Sequence, residues 1–513
     1  MATKSKEIII NNWQQGIALS PYQGFGDMRN VEVSLWPGVV RLALSAAKQS
    51  GTTITGLPMW AVQNKDTNST IYVLDNANKV YKSDASTLYA TWTLVTHASP
   101  STGHGNGLAV WHDYLFIAGD AAIDVMKISN GTWTDAWQTL LSDTLTHPMF
   151  GGTNATSTND VLYIGNGPDA TNILGPTIAS VLQKTGQIFD PTDGGTSYTW
   201  NANAVGANLL YGYRIRCLTQ MGNNLYIGTF FGNSPSSQKI ADIFPWDRTS
   251  SSFGIPIRFK EYGINQMMTV NNVIYFQAGT MGNFYVTNGS LTQPLFTFPR
   301  DTNGNRGLYN ITSSSPGAIM FNKGRIFFGI NVSGATNSQS GVYSVGTDGK
   351  GLVLENTIST GISTGLVSIG CLHPTNNTNM EYLIGWQDTT GGGAQGIDNI
   401  GENGCVTSYG GYIDSPVYVI GTVLSPNSLQ QLEVYLDRPL LSGEGIQIYY
   451  RTSLAASFTS LVTFDNATYP SAQKYNFAIG PYLSGEMAQF RIALTCTSGS
   501  NGTSPTLRYV RII

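Results

Sequence analysis

Covalent chemistry, if this chain performs any, has one obvious place to begin: a serine set between glycines. GISTG (361–365) fits the pattern G-x-S-x-G and would put Ser363 where a hydrolase nucleophile sits, on a sharp turn between a strand and a helix. The residues that follow, LVSIGCLH, read as another strand, and a chain with 58 glycines writes this pattern by composition. DTNGNRG (301–307) opens like a calcium loop, with Asp301, Asn303 and Asn305 alternating as oxygen ligands do. Its sixth position is Arg306 where a tight turn needs glycine, and its twelfth is Thr312 where a bidentate glutamate belongs, so it reads as a surface turn. The five histidines (His97, His104, His112, His147, His373) form no i, i+4 pair, which removes metalloprotease-type zinc chemistry. The expectation is a protein that is not an enzyme, with no catalytic residue, metal or cofactor.

Two patterns stay open. Carboxylate pairs for glycoside hydrolysis leave no local signature when distant segments supply them. SDASTLYATW (83–92) and TDGGTSYTW (192–200) are faintly similar to the Asp-box turns of sialidase-like propellers, without their spacing, and in that family such turns are structural. The tryptophans, Trp13, Trp36, Trp60, Trp111, Trp133, Trp137, Trp246 and Trp386 among them, suit sugar stacking or core packing, and burial statistics favour packing. Four cysteines (Cys217, Cys371, Cys405, Cys496) make no CxxC pair and are expected as buried free thiols, although Cys371 and Cys405 could meet in one sheet. Sequons such as Asn130-Gly-Thr and Asn310-Ile-Thr reflect composition.

The elements that hold these residues announce themselves by repetition. Only 11% of the 513 residues are charged, and polarity comes from Asn, Ser, Thr, Gln and Gly, residues that favour turns and compete with the helix backbone. A polar turn followed by a short apolar strand recurs seven times, centred on Tyr72, Phe116, Tyr163, Tyr226, Tyr275, Phe327 and Leu383. The spacing matches propeller blades, and Asn-Gly or Asp-Gly turns in MKISNGTW (126–133), FYVTNGSL (284–291) and VYSVGTDGKGLV (342–353) mark a hairpin further along each unit. The fold class is therefore all-β: a β-propeller of about seven blades over 51–411, an N-terminal docking arm over 1–50, and a C-terminal β-sandwich over 412–513. Residues 166–215 are expected as an insertion projecting from one face, with a short helix in GPTIASVLQKTGQ (175–187).

A formal charge of −4 without basic runs argues against sequence-specific nucleic-acid binding. The N-terminus has no secretory apolar stretch and no segment is long enough to span a membrane, so synthesis is expected in the cytoplasm without a signal peptide.

Three features coincide: the arm GIALSPYQGFGDMRNVEVSLWPGVVRLA (16–43), a Gly/Asn-rich propeller, and a terminal sandwich with SGEGIQIYYRTS (442–453). This layout resembles that of structural tail proteins of tailed bacteriophages, in particular the nozzle proteins that end short tails. The resemblance implies a virion tail protein that forms a homohexameric ring, extends the DNA channel and closes it until infection. Its partners would be its own copies, an upstream tail adaptor or tube protein, tail fibres, and packaged DNA held without sequence specificity. Tyr22, Phe25 and Trp36 of the arm are the residues expected to dock against sister copies or the upstream ring. The alternatives are a carbohydrate- or receptor-binding propeller at the virion surface and, further off, a propeller glycoside hydrolase.

Overall fold

The computed structural model describes residues 7–16, 25–33, 38–65, 68–101, 103–145, 147–153, 160–168, 174–234, 237–279, 283–297, 310–311, 314–333, 340–358, 367–375, 381–388, 394–405, 410–420, 427–479, 484–496 and 503–513. Within them lies a seven-bladed β-propeller joined to a β-sandwich. Blades two to six run in chain order from axis to rim, while blades one and seven take their outermost strand from earlier in the chain. The innermost strands are Pro58–Gln63, Gly107–Trp111, Met149–Thr153, Tyr213–Met221, Ile264–Val270, Ile319–Asn322 and Val367–Pro374. The strands beside them, Ile71–Asp75, Tyr114–Ala118, Asp160–Asn166, Asn224–Phe231, Val273–Ala278, Arg325–Ile330 and Tyr382–Asp388, carry the seven repeated aromatic or leucine positions.

The turn between these two strands is tight for a physical reason. Val270 pairs with Val273 and Asn322 with Arg325, leaving two residues at each tip. Asn271 and Asn272 both adopt positive φ (49° and 60°), as do Lys323 and Gly324 (48° and 75°), the twist that suits a two-residue hairpin. The later Asn-Gly turns work differently from the sequence expectation that both residues need positive φ. In Asn130-Gly131 only the glycine is left-handed (φ 72°), while the Asn130 side chain accepts the Thr132 N–H at 3.0 Å.

Apolar residues pack between blades. Seven hydrophobic clusters separate consecutive blades, and the last joins Cys371, Leu383 and Ile397 of blade seven to Ile71, Val73 and Trp92 of blade one, closing the ring. The repeat's glycine lets this happen: a Cβ on Gly228 would stand 2.5 Å from Cys217 Sγ and 2.9 Å from Ile264 of the next blade.

Several expectations change here. The segment expected as a helix within 175–187 is the strand Thr177–Gln183, because Thr177, Ile178 and Val181 are β-branched and pack into the blade. It and Tyr198–Asn201 are the outer strands of blade three, so the described residues of 166–215 are blade and connection instead of an insertion. The segment before residue 51 is likewise divided. Leu44–Lys48 is the outermost strand of blade seven, antiparallel to Ala394–Cys405, and Ser50–Gly51 runs beside Thr91–Leu94 of blade one. Two of the cysteines expected as free thiols are paired, Cys405 to Cys496, joining blade seven to the sandwich, while Cys217 and Cys371 are free and buried.

Candidate functional site

The N-terminal segment is where propeller and sandwich meet. Ile8–Ile10 pairs antiparallel with Leu507–Ile512, burying Ile8 and Ile10 and leaving Ile9 49% exposed. A short turn, Trp13–Gln15, then places the Trp13 ring in the sandwich core, its indole N–H donating to the Arg508 carbonyl at 2.9 Å. Phe25 stacks on it with centroids 5.6 Å apart and is 2% exposed. Of the three residues expected to dock, Phe25 is thus packed inside its own chain; Tyr22 and Trp36 lie outside the described residues. So do Ser363, Asp301, Asn303, Asn305, Arg306 and Thr312.

Asp27–Arg29 is the hinge piece of the architecture. On one side Arg29 pairs in parallel with Leu354 in blade six; on the other, Asp27, Met28 and Arg29 pair antiparallel with Asp414, Ile413 and Tyr412. From there the sheet continues through Met487–Thr495, Gly445–Arg451 and Thr459–Asp465, so blade six and one layer of the sandwich are a single sheet. Alternation assigns its faces. Met28, Ile413, Ile492 and Ile448 point into the sandwich core, whereas Asp27, Arg29, Tyr412, Asp414 and Arg491 point outward.

On that outer face cations and rings alternate across four strands and the loop at Phe458. Arg29 lies 5.6 Å from the Tyr412 ring centroid, Arg491 lies 3.9 Å from the same ring and 4.4 Å from Phe458, and Arg451 lies 4.5 Å from Phe458. Arg491 grips Asp414 with both ends of its fork at 2.6 and 2.8 Å, and the Tyr412 hydroxyl donates to Asp27 at 3.0 Å. Arg451 donates to the Gln489 side chain at 2.8 Å, which in turn holds the Ser415 carbonyl at 2.8 Å. Burial pushes the Asp414 carboxyl up, opposed by Arg491. Each partly desolvated cation–ring contact contributes roughly 0.5–2 kcal/mol, and their value here is rigidity across the joint. Of this set only Arg491 has a visible local pattern, a charge between Phe490 and Ile492; the rest come together through pairings that no local pattern records.

The chemistry elsewhere is sparse. None of the seven innermost strands contains an aspartate or glutamate, the residues a propeller hydrolase would bring to the axis. The two Asp-box-like turns are structural: Asp84 accepts the Ser86 and Thr87 N–H groups, and Asp193 those of Gly195, Thr196 and Ser197. His97, Asp124 and Asp135 bring ligand atoms within 4.8 Å of one another. His97 uses a different ring nitrogen toward each acid, and Asp124 already accepts Ser101 N, Ser101 Oγ and Ala136 N at 2.7, 2.6 and 2.8 Å. With the His97 ring stacked 3.8 Å over Trp133, the group is a clasp between blade two and the connection leading into it. No described tryptophan is exposed. The apolar surface stands elsewhere, at Leu174, Leu210 and Tyr211, whose segments are tied by Asn208 Nδ2 to the Gly175 carbonyl at 2.7 Å and by Leu209 N–H to the Pro176 carbonyl at 2.9 Å. No helix is long and apolar enough among the described residues to cross a membrane.

No protein-family model matches the chain, and no curated protein does. Among solved structures it is similar to the β-propeller domain of Cps50 (Swd1) from Myceliophteria thermophila at 11% identity, with 68% of this chain and 99% of that one covered and a TM-score of 0.42. It is also similar to the Dos1 propeller at 12% identity, covering 77% of this chain and 93% of that one, TM-score 0.40. An exo-β-1,3-galactanase from Phanerochaete chrysosporium follows at 11% identity, with 92% and 99% covered and a TM-score of 0.30. The blade count rests on the sheets and interblade clusters; what the molecule contains is a seven-bladed propeller welded to a sandwich through its own N-terminal strands.

Proposed function

We propose that this chain is a structural protein of a bacteriophage tail, a nozzle-like component whose copies form a ring that extends and closes the DNA channel beneath an upstream adaptor or tube protein. One observation carries the reading: blade six, the arm strand Asp27–Arg29 and a layer of the sandwich share one continuous sheet. A subunit that walls a channel under internal pressure needs domains that do not swing, and a shared sheet reinforced by the arginine–aromatic ladder gives it that stiffness. The exposed Leu174, Leu210 and Tyr211 patch supplies an apolar contact for a neighbouring copy, since a ring needs two unlike patches meeting head to tail. A mildly acidic chain, −4 overall, lets DNA pass without adhering. Tail fibres would attach from outside, and the site of action is the virion tail.

Native mass spectrometry of the purified chain tests the proposal. A closed ring is expected, dissociating when Leu210 and Tyr211 are both replaced by serine while circular dichroism stays unchanged. A chain that remains monomeric at tens of micromolar and does not join tail particles of its phage would overturn it. Deleting residues 1–43 would not separate assembly from folding: it spares the blade-seven strand Leu44–Lys48 but strips Ile8, Ile10, Trp13, Phe25, Met28 and Val31 from the sandwich core.

A further inference from the structure

Among the described residues, Arg216 is a cation without a counter-charge. It sits at a bulge between Ile215 and Cys217 on the innermost strand of blade four, and it is 7% exposed. One of its terminal nitrogens donates to the Ser314 carbonyl at 3.0 Å, in the segment that leads into blade six. Its Nε has no hydrogen-bond partner, and no carboxylate accompanies it. A guanidinium isolated in this way costs several kcal/mol relative to one in water. Burial pulls its pKa down to about 10, which still leaves it charged at neutral pH.

The groups around its path are also unpaired. Blade five lies between blade four and the segment that carries Ser314, and its innermost strand holds Gln266. Gln266 is fully buried, and neither its Nε2 nor its Oε1 has a partner. The Ser314 hydroxyl, on a residue that is likewise fully buried, has none either. Buried polar atoms are normally satisfied, and orphans on the innermost strands of two neighbouring blades and on the segment leading into the next call for an explanation. The neighbour Asn265 shows the contrast: its amide donates to Gln277 Oε1 and to the Gly279 carbonyl, both at 2.8 Å.

We propose that Arg216, Gln266 and Ser314 form a binding site for a small inorganic anion of chloride size, held inside the propeller where blades four, five and six converge. The chemistry selects the ligand. An Nε–H, an amide NH2 and a hydroxyl are donors, and the fixed charge is positive, so the occupant is an anion. Enclosure limits it to a few ångströms across and makes it a resident of the fold instead of a passing substrate. The bound ion would act as a bolt through three blades.

Two measurements decide the matter on the intact chain. Crystals equilibrated in sodium bromide should show an anomalous peak within hydrogen-bond distance of Arg216 Nε; absence of that peak overturns the proposal. In thermal or denaturant unfolding at constant ionic strength, replacing gluconate by chloride should raise the folded-to-unfolded ratio, approaching tenfold per tenfold chloride above its Kd. Identical stability in the two salts overturns it. Arg216→Met should remove the chloride dependence and Gln266→Leu should weaken it. If Arg216→Met fails to fold, the bromide peak in the unaltered protein still gives the answer.

Discussion

Replacing Trp13 by alanine separates an arm that packs into the sandwich from one that merely lies on a neighbour. The ring is fully buried, stacks on Phe25 and donates to the Arg508 carbonyl. Truncating a buried tryptophan costs about 3–5 kcal/mol through lost transfer energy and the cavity left behind. Stranding the Arg508 carbonyl adds about 1 kcal/mol. The sum, roughly 4–6 kcal/mol, is a large part of the 5–15 kcal/mol that holds an ordinary domain. Ile9→Ala, on the outward side of the neighbouring strand and half exposed, should cost less than about 1 kcal/mol and serves as the control. Hydrogen exchange read by mass spectrometry gives the answer region by region. Protection should fall in Ile8–Ile10, Gln431–Leu436 and Leu507–Ile512, strands of the layer that Trp13 covers, and stay unchanged in the blade-two strand Tyr114–Ala118. If Trp13→Ala leaves sandwich protection intact and shifts stability no more than Ile9→Ala, the assignment of the arm to the core is wrong.

Other consequences can be checked with equal directness. The bond between Cys405 and Cys496 closes a loop across 91 residues, for which chain-entropy reasoning sets a ceiling of roughly 4–5 kcal/mol. Cys496→Ser should therefore lower the unfolding midpoint, and reductant should lower the unaltered protein toward the same value; no response to reductant would contradict the pairing. Glu355 is enclosed beside Arg325 and Ser344, and burial pushes its carboxyl up to about 8 against the pull of Arg325. The folded state then keeps a proton that the unfolded chain has released, so stability should fall as pH rises from about 4.5 to about 8. Glu355→Gln should flatten that slope in denaturant titrations across the same window; an unchanged slope would assign it to other groups.

How far the fold could be read from sequence depended on the distance between partners. The apolar strands at Tyr72, Phe116, Tyr163, Tyr226, Tyr275, Phe327 and Leu383 were legible because each lies next in sequence to its partner, and in blades two, four, five and six only two residues separate them. The outer strands were harder: Ile257–Phe259 is three residues long, and Thr177–Gln183 follows a proline that also suits a helix start. The junction was invisible, since Ile8 pairs with Ile512 and Asp27 with Asp414, and nothing near either residue specifies the other. Arg216 carries no local signal of its burial. In YRIRCLTQM the two arginines stand two apart, as solvent-facing residues do on a regular strand, but the bulge at 215–217 breaks that alternation and sends Arg216 inward. The sequence expectation for Phe25 was an exposed contact, because an aromatic in a Gly-rich stretch looks like surface until its stacking partner is known.

The strand that completes blade seven comes from residues 44–48, and the strand at the edge of the sandwich comes from residues 8–10. During synthesis, therefore, these early residues must wait for strands made much later. Six blades can condense as they emerge, but the circle stays open until Ala394–Cys405 is out, and the sandwich lacks a partner until Leu507–Ile512 has been made. A product that ends before residue 394 keeps raw sheet edges, since Leu44–Lys48 then lacks the strand it pairs with. Closure of the ring and of the sandwich edge is thus a late event in synthesis, set by pairings between distant parts of the chain.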